Sequence, residues 1–336
     1  MAQKQWLKPL FCLTIGVITC WSQPLCAQSS TAKAAAQLDA MIAAIAPYRP
    51  MKDASAEIRV VGSTSMDGLA HGWATGFSKF HKRAAVQIQG SGSEQALEAL
   101  TAAPSSIAML SRPVTDAELA GLKKRGLVNP VAIPVAREAL AVYVHETNPV
   151  QAITGKQLKA IFTEGASAET LNWSMLGAQG QWSSKPIHLI SRTQRCGTQT
   201  FLRDFVFGSA TMRGGKSEHS SNALVLEEVR KDPLAIAICG KRSKSSKVKM
   251  LQLTAGNQVV PSDDAAILNG QYPLTRTLTL VIDADRSDPQ AIATQEFVRY
   301  ALGQQGQVQT LIDGFYPIEA NVMRAGLAKL GSNQIR

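Results

Sequence analysis

"LISRTQRCGTQTFLRDF", residues 189–205, decides how the chain is read. It opens as an apolar run and closes as an amphipathic one, so a strand becomes a helix within a few residues. At the turn stand Arg192, Arg195, Cys196, Gly197 and Thr198. A helix start leaves backbone N–H groups unpaired and carries partial positive charge. Glycine admits a ligand to that backbone, and threonine and arginine add donors. The stretch reads either as a reactive cysteine in a positive pocket or as half of a cradle for an anion.

Two more junctions share the chemistry. "VVGSTSMDG" (60–68) sets Gly62 for a tight turn ahead of the hydroxyls of Ser63, Thr64 and Ser65. "IQGSGSEQ" (88–95) exposes backbone at Gly90 and Gly92, with Ser91 and Ser93 beside them. Serine and threonine are also ordinary helix caps, so one such junction says little. Three in one chain, with an arginine at the third, point to an anion site. From residue 57 onward short apolar strands alternate with amphipathic helices, which predicts an α/β fold with parallel layers. In such open sheets ligands sit beyond the carboxyl ends of the strands, where all three loops fall. Met66, Leu69, Trp73, Phe77 and Phe80 recur at spacings of three and four, an apolar helical stripe. Thr115 and Glu118 form a capping box that predicts a helix start, and "PVAREALAVYVH" (134–145) predicts a long strand.

The 336-residue chain carries a formal charge of +10, and its 45% hydrophobic content suits a folded, water-soluble body. Its first 27 residues stand apart. Lys4 and Lys8 precede the short apolar run "LFCLTIGVITCW" (10–21), and Ala27 offers a small residue for cleavage. This is the pattern of a signal peptide and predicts a periplasmic or secreted protein. Neither Cys20 nor Cys26 follows the small residue that lipid attachment favours. Residues 28–56 read as an alanine-rich extension with a short helix before a linker.

Removal of residues 1–27 leaves a charge of +8 and two cysteines, Cys196 and Cys239. In an exported chain that pair predicts a disulfide. The positive balance predicts an acidic partner. The one basic run, "GKRSKSSKVK" (240–249), lacks interleaved aromatics and reads as a solvated loop, so nucleic acid is not expected. The scattered histidines show no metal-ligand spacing, and no cofactor is expected.

The three loops are followed or separated by "REALAVYVHETNPVQAITGKQLKAIFTEG" (137–165) and "SSNALVLEEVRKDPLAIAICG" (220–240). In that order, from about residue 58 to 318, the chain resembles the periplasmic phosphate-binding protein of the phosphate ABC importer, a type II solute-binding protein. The resemblance implies an α/β fold of two lobes joined by two hinge strands, with the ligand cleft between them. Lobe 1 would be residues 57–136 plus 241–336, and lobe 2 residues 137–240. It implies capture of a tetrahedral oxyanion, phosphate first, and delivery to an ABC permease in the inner membrane, without catalysis. The family's ligand positions fall here on Thr64, Ser65, Ser93, Arg192, Gly197 and Thr198.

Two positions depart from the pattern. Cys196 stands where the family has a serine. Arg112 stands where some members carry an aspartate that accepts the proton of a protonated phosphate. Arg112 is either a ligand group or the partner of Asp116 or Glu118. Three alternatives follow: a receptor for another oxyanion such as sulfate, a secreted interaction or adhesion protein without transport, or an enzyme with Cys196 as nucleophile and His145, His188 or His219 as base.

Overall fold

The computed structural model describes residues 35–165, 171–193, 196–241, 245–256 and 258–330. The expected signal peptide, Arg195 and part of the basic run lie outside the described residues.

The first layers form as the periodicity predicts. Strand β1 (Glu57–Gly62) leads into helix α2 (Asp67–Phe77), β2 (Ala85–Gly90) into α3 (Ser93–Ala102), and β3 (Ile107–Leu110) into α4 (Asp116–Lys124). A short helix at 35–43, α1, precedes them. Met66, Leu69, Trp73 and Phe77 are fully buried, while Phe80, beyond the end of α2, is half-exposed. Trp73 Nε1 also donates to the Gly306 carbonyl at 2.9 Å, which gives the buried indole N–H its partner.

The sixteen-residue strand β4 (Pro130–His145) is the longest element, and it is shared between two halves. Along its first part it pairs antiparallel with β11 (Thr275–Asp283). Along its second part it pairs antiparallel with β8 (Ala235–Gly240) and β9 (Val248–Ala255). With β6 (His188–Arg192) and β7 (Ser217–His219), the strand order is β2-β1-β3-β11-β4-β8-β6-β7. The sheet is therefore parallel within each half and antiparallel where β4 and β11 cross between them, rather than parallel throughout.

Two main apolar cores follow. One gathers Ile58, Val60, Trp73, Phe77, Leu280 and Phe297 around β1, β3 and α2, and is closed by α9 (Pro289–Leu302) and α11 (Ala320–Ala328). The other gathers Val142, Leu158, Phe162, Trp173, Leu189 and Ile236 around β6, β8 and α5 (Gly155–Phe162). The structure corrects the expected boundary at residue 241. β9 pairs with β4 and with β5 (Ala152–Thr154), and Leu251, Leu253, Ile267, Leu268, Tyr272 and Leu274 join the second core. The second lobe thus extends to about residue 274, because this segment buries its apolar side against second-lobe strands. Residues 35–48 are no free linker either. Leu38 lies in the second core, and Ile45 and Tyr48 lie in the first.

Trp73→Ala should destabilise the protein by about 3–5 kcal/mol, the range for deleting a buried tryptophan. Urea unfolding of the purified variant checks this, and the slope of the transition should match that of the wild type.

Candidate functional site

Each loop is built so that backbone, rather than bulk, reaches the cleft. Gly62 ends β1 at φ +140°, and a side chain there would strike the Met109 carbonyl. The same turn lets the Ser63 N–H bond that carbonyl at 2.9 Å. The second loop is stitched to the first, since the N–H groups of Ser91 and Gly92 both donate to the Gly62 carbonyl at 2.9 and 2.8 Å. Ser111 directly follows the third strand. Its hydroxyl lies 2.7 Å from Ser63 Oγ and 3.4 Å from Ser93 Oγ, and its N–H donates to Ser93 Oγ. Ser63, Ser93 and Ser111 are all fully buried, so these hydroxyls satisfy one another away from water.

The third loop meets this cluster from the other lobe. β6 ends at Arg192, and Cys196 is the cap residue of α6 (Gly197–Phe201), which continues as a π-turn over Leu202–Val206. A Cβ on Gly197 would come within 1.9 Å of Ser111 Oγ and 2.5 Å of Ser93 Oγ. Only glycine allows the α6 N-terminus this close to the first lobe. Around it the contacts cross the cleft. Arg192 Nη2 donates to Thr64 Oγ1 at 2.9 Å, and Ser65 Oγ lies 3.4 Å from Thr198 Oγ1. At the rim Thr200 Oγ1 donates to Glu94 Oε1 at 3.2 Å, and Arg203 pairs with the same carboxylate.

Arg192 is 1% exposed, and its nitrogens are held throughout. Nε donates to the His219 carbonyl, Nη1 to Asn222 Oδ1, and Nη2 to the Ser220 carbonyl as well as to Thr64. Asn222 opens helix α7 (Asn222–Lys231), so the Ser-Asn helix start serves this arginine. Asp67, first in α2, presses against Gly90, and one carboxylate oxygen is buried without a partner. Burial pushes its carboxyl above the ordinary range, against the pull of His71 and Arg192.

The structure thus brings together Thr64, Ser65, Ser93, Arg192, Gly197 and Thr198. It separates Arg112. That side chain points to the start of α4, where it holds both oxygens of Glu118 at 2.6 and 3.1 Å and donates to the Pro113 carbonyl. The structural-pairing alternative is the one realised.

The expected disulfide is absent. Cys196 and Cys239 are two free, buried thiols. The parallel register that sets Ile190 opposite Ala237 carries Cys239 to the level of Arg192, four residues short of Cys196. Cys239 packs instead with Ile190, Val225 and Val229, and burial pushes its thiol far up despite nearby Arg192. The histidines weighed as a base for Cys196 are engaged elsewhere. His188 bonds Asp232 at 2.6 Å, His145 bonds Thr147 at 2.8 Å, and His219 lies 3.8 Å from Glu228.

Sequence reading missed Ser111, and it missed a second buried arginine, Arg276, whose Nη2 donates to Thr198 Oγ1 at 2.9 Å. A charged residue inside the apolar strand "TRTLTLVID" was the available signal. A cavity of about 160 Å³ adjoins this region, lined by Glu138, Asn222, Gly240, Lys241, Asp313, Gly314 and Phe315. A larger one, about 440 Å³, opens between β2 and α3 and is lined by Arg59, Gln87, Gln89 and Gln95 among others. It lies away from the cross-cleft contacts.

A family model described as a PBP superfamily domain matches residues 27–305. The chain belongs to that superfamily. Among curated relatives of the superfamily, the chain is 29% identical over 304 residues to the phosphate-binding protein PstS of Pseudomonas aeruginosa, covering 89% of this chain and 94% of the relative. It is 26% identical over 294 residues to protein SphX of Synechococcus elongatus, covering 85% of each. The fold is also that of an ABC-type phosphate transport receptor from Vibrio cholerae, with a TM-score of 0.63 at 23% identity over 78% of this chain and 99% of that one. The architecture is the type II fold expected of this superfamily. Among the described residues no helix is long and apolar enough to cross a membrane.

The Arg112–Glu118 pair has a pH signature. Burial raises the Glu118 carboxyl, but donation by Arg112 and by the Thr115 N–H outweighs it and holds the group below its ordinary 4.5. A depressed carboxyl contributes stability that is complete above that ordinary value and is lost as pH falls through the folded-state value. Arg112→Met should therefore be less stable than wild type at pH 7, and the gap should close between about pH 5 and pH 3. Parallel urea titrations of both proteins across that range test it.

Proposed function

We infer that this protein is an exported solute-binding protein that captures phosphate between its two lobes and presents the closed form to an ABC permease. The observation that carries the reading is the convergence of neutral donors and a buried guanidinium from both lobes on one point. Thr64, Ser65 and Ser93 come from the first lobe, and Arg192, Gly197 and Thr198 from the second. The relatives named for phosphate binding supply the ligand class.

The mechanism is dehydration by substitution. A tetrahedral oxyanion presents acceptors in every direction, so a site for it needs donors on all sides and no water. The Ser65–Thr198 hydroxyl pair turns a donor from itself to the anion, and Thr64, whose oxygen accepts from Arg192, keeps its hydroxyl hydrogen to give. The N-terminus of α3 and the Gly197 backbone add N–H groups. Arg192 adds charge, and its bonds to Ser220, Asn222 and His219 hold it ready before the ligand arrives. Because donors are split between lobes, the anion links them and draws the hinge closed. Residues 1–27 act as the export signal, and the mature protein works in the periplasm.

Titration calorimetry of the mature, phosphate-stripped protein tests the reading, with phosphate and then sulfate between pH 5 and 8. Phosphate should bind in a single saturable step. Arg192→Ala should weaken it at least about 100-fold, since it removes a charged donor and leaves its partners unpaired. Gly197→Val should weaken it through the steric block to closure. A protein that takes up neither anion would refute the reading.

A further inference from the structure

Glu138 and Arg276 stand directly opposite each other on β4 and β11, the two strands that cross between the lobes. Their side chains are 5% and 0% exposed. Arg276 Nε and Nη2 both donate to Glu138 Oε2, at 3.0 and 2.6 Å. Nη2 reaches on to Thr198 Oγ1, and the guanidinium lies 5.8 Å from the centre of the Phe201 ring. The remaining nitrogen, Nη1, is fully buried and has no hydrogen-bond partner.

A buried guanidinium N–H without an acceptor is costly, and native proteins seldom keep one without use. Its sister nitrogen Nη2 bonds Thr198, the residue that also meets Ser65 across the cleft. The contrast with Arg192 is informative. Arg192 is tied through all three nitrogens to protein acceptors, whereas Arg276 keeps a whole amino group uncommitted.

We propose that Arg276 is a second arginine ligand of the oxyanion, donating through Nη1, with Glu138 as the residue that positions it. This rests on the oxyanion-binding reading above and adds to it a cation supplied by the hinge itself rather than by a loop of either lobe. Glu138 fixes the guanidinium plane through Nε and Nη2, which leaves Nη1 as the free prong. Because both residues sit in the crossing strands, the donor reaches its place only when the hinge angle brings Thr198 up to Arg276. Ligand contact and lobe closure then depend on the same side chain.

The test compares phosphate titrations of the full mature protein carrying Arg276→Lys, Glu138→Gln, or Arg276→Met with Glu138→Gln. The double substitution leaves no lone buried charge, and thermal unfolding without phosphate verifies that it folds cooperatively. The proposal expects the double variant and Arg276→Lys to lose about 10- to 100-fold in phosphate affinity, one hydrogen bond to a charged group. It expects a smaller loss for Glu138→Gln, which keeps an acceptor for Nε. A structure of the wild-type phosphate complex supplies the readout that a merely structural role would not give, with Nη1 within about 3.2 Å of a phosphate oxygen. Affinities within about threefold of wild type, or a complex with Nη1 out of reach, would overturn the proposal and leave the phosphate reading standing. Failure of the wild type to bind phosphate would overturn both. If the double variant does not fold, Arg276→Lys and the complex decide.

Discussion

The arrangement depends on one strand having two sets of neighbours. β4 uses its ladder hydrogen bonds with β11 over one stretch and with β8 and β9 over the next. Backbone groups of a buried strand must all be paired, so neither half can drop its share of β4 without exposing donors and acceptors. The lobes are thereby held at a fixed register along a common axis. Every cleft contact inherits its position from this strand. The first and second loops hang from sheet strands on one side of it, and the third from strands on the other.

Within the cleft, polar groups meet at distances that ordinary side chains would not permit. The small residues are what make this possible. Ser63, Ser93, Ser111 and Gly197 together form a contact patch with almost no apolar volume, and the patch is buried. Such a surface gains little from the hydrophobic effect, so closure there relies on hydrogen bonding and charge. The two arginines behind the patch reinforce this. Both are nearly inaccessible, and each is held by acceptors from its own side of the molecule before it reaches across.

Much of this was legible in the sequence, for identifiable reasons. The α2 stripe and the three strand-to-helix junctions are local patterns, and local patterns survive without knowledge of partners. The glycines and hydroxyls of the loops announced themselves by type and position. The disulfide did not form because strand register, which no spacing reveals, set Cys239 against Arg192. Arg112 was ambiguous for a similar reason, since a carboxylate six residues on, in the first turn of the next helix, competes with any ligand and only geometry shows which wins. Arg276 and Glu138 were invisible as a pair, being 138 residues apart and joined only when β11 lies against β4. The segment from 248 to 274 was assigned to the wrong lobe because its alternation fits a strand in either sheet.

The amino-terminal segment adds a constraint of its own. Helix α1 places Leu38 in one core while Ile45 and Tyr48, a few residues later, are anchored in the other, the latter by a hydrogen bond from its hydroxyl to Glu296. A short tether fastened at both ends spans the joint. Any motion that parts the lobes must lengthen, bend or detach it, so this segment is a mechanical load on the cleft. A tether that favours the shut form by 1.4 kcal/mol would multiply the fraction of ready molecules, and with it the apparent affinity, by about ten while the open form predominates. Such a tether would set affinity partly at a place that never meets the ligand.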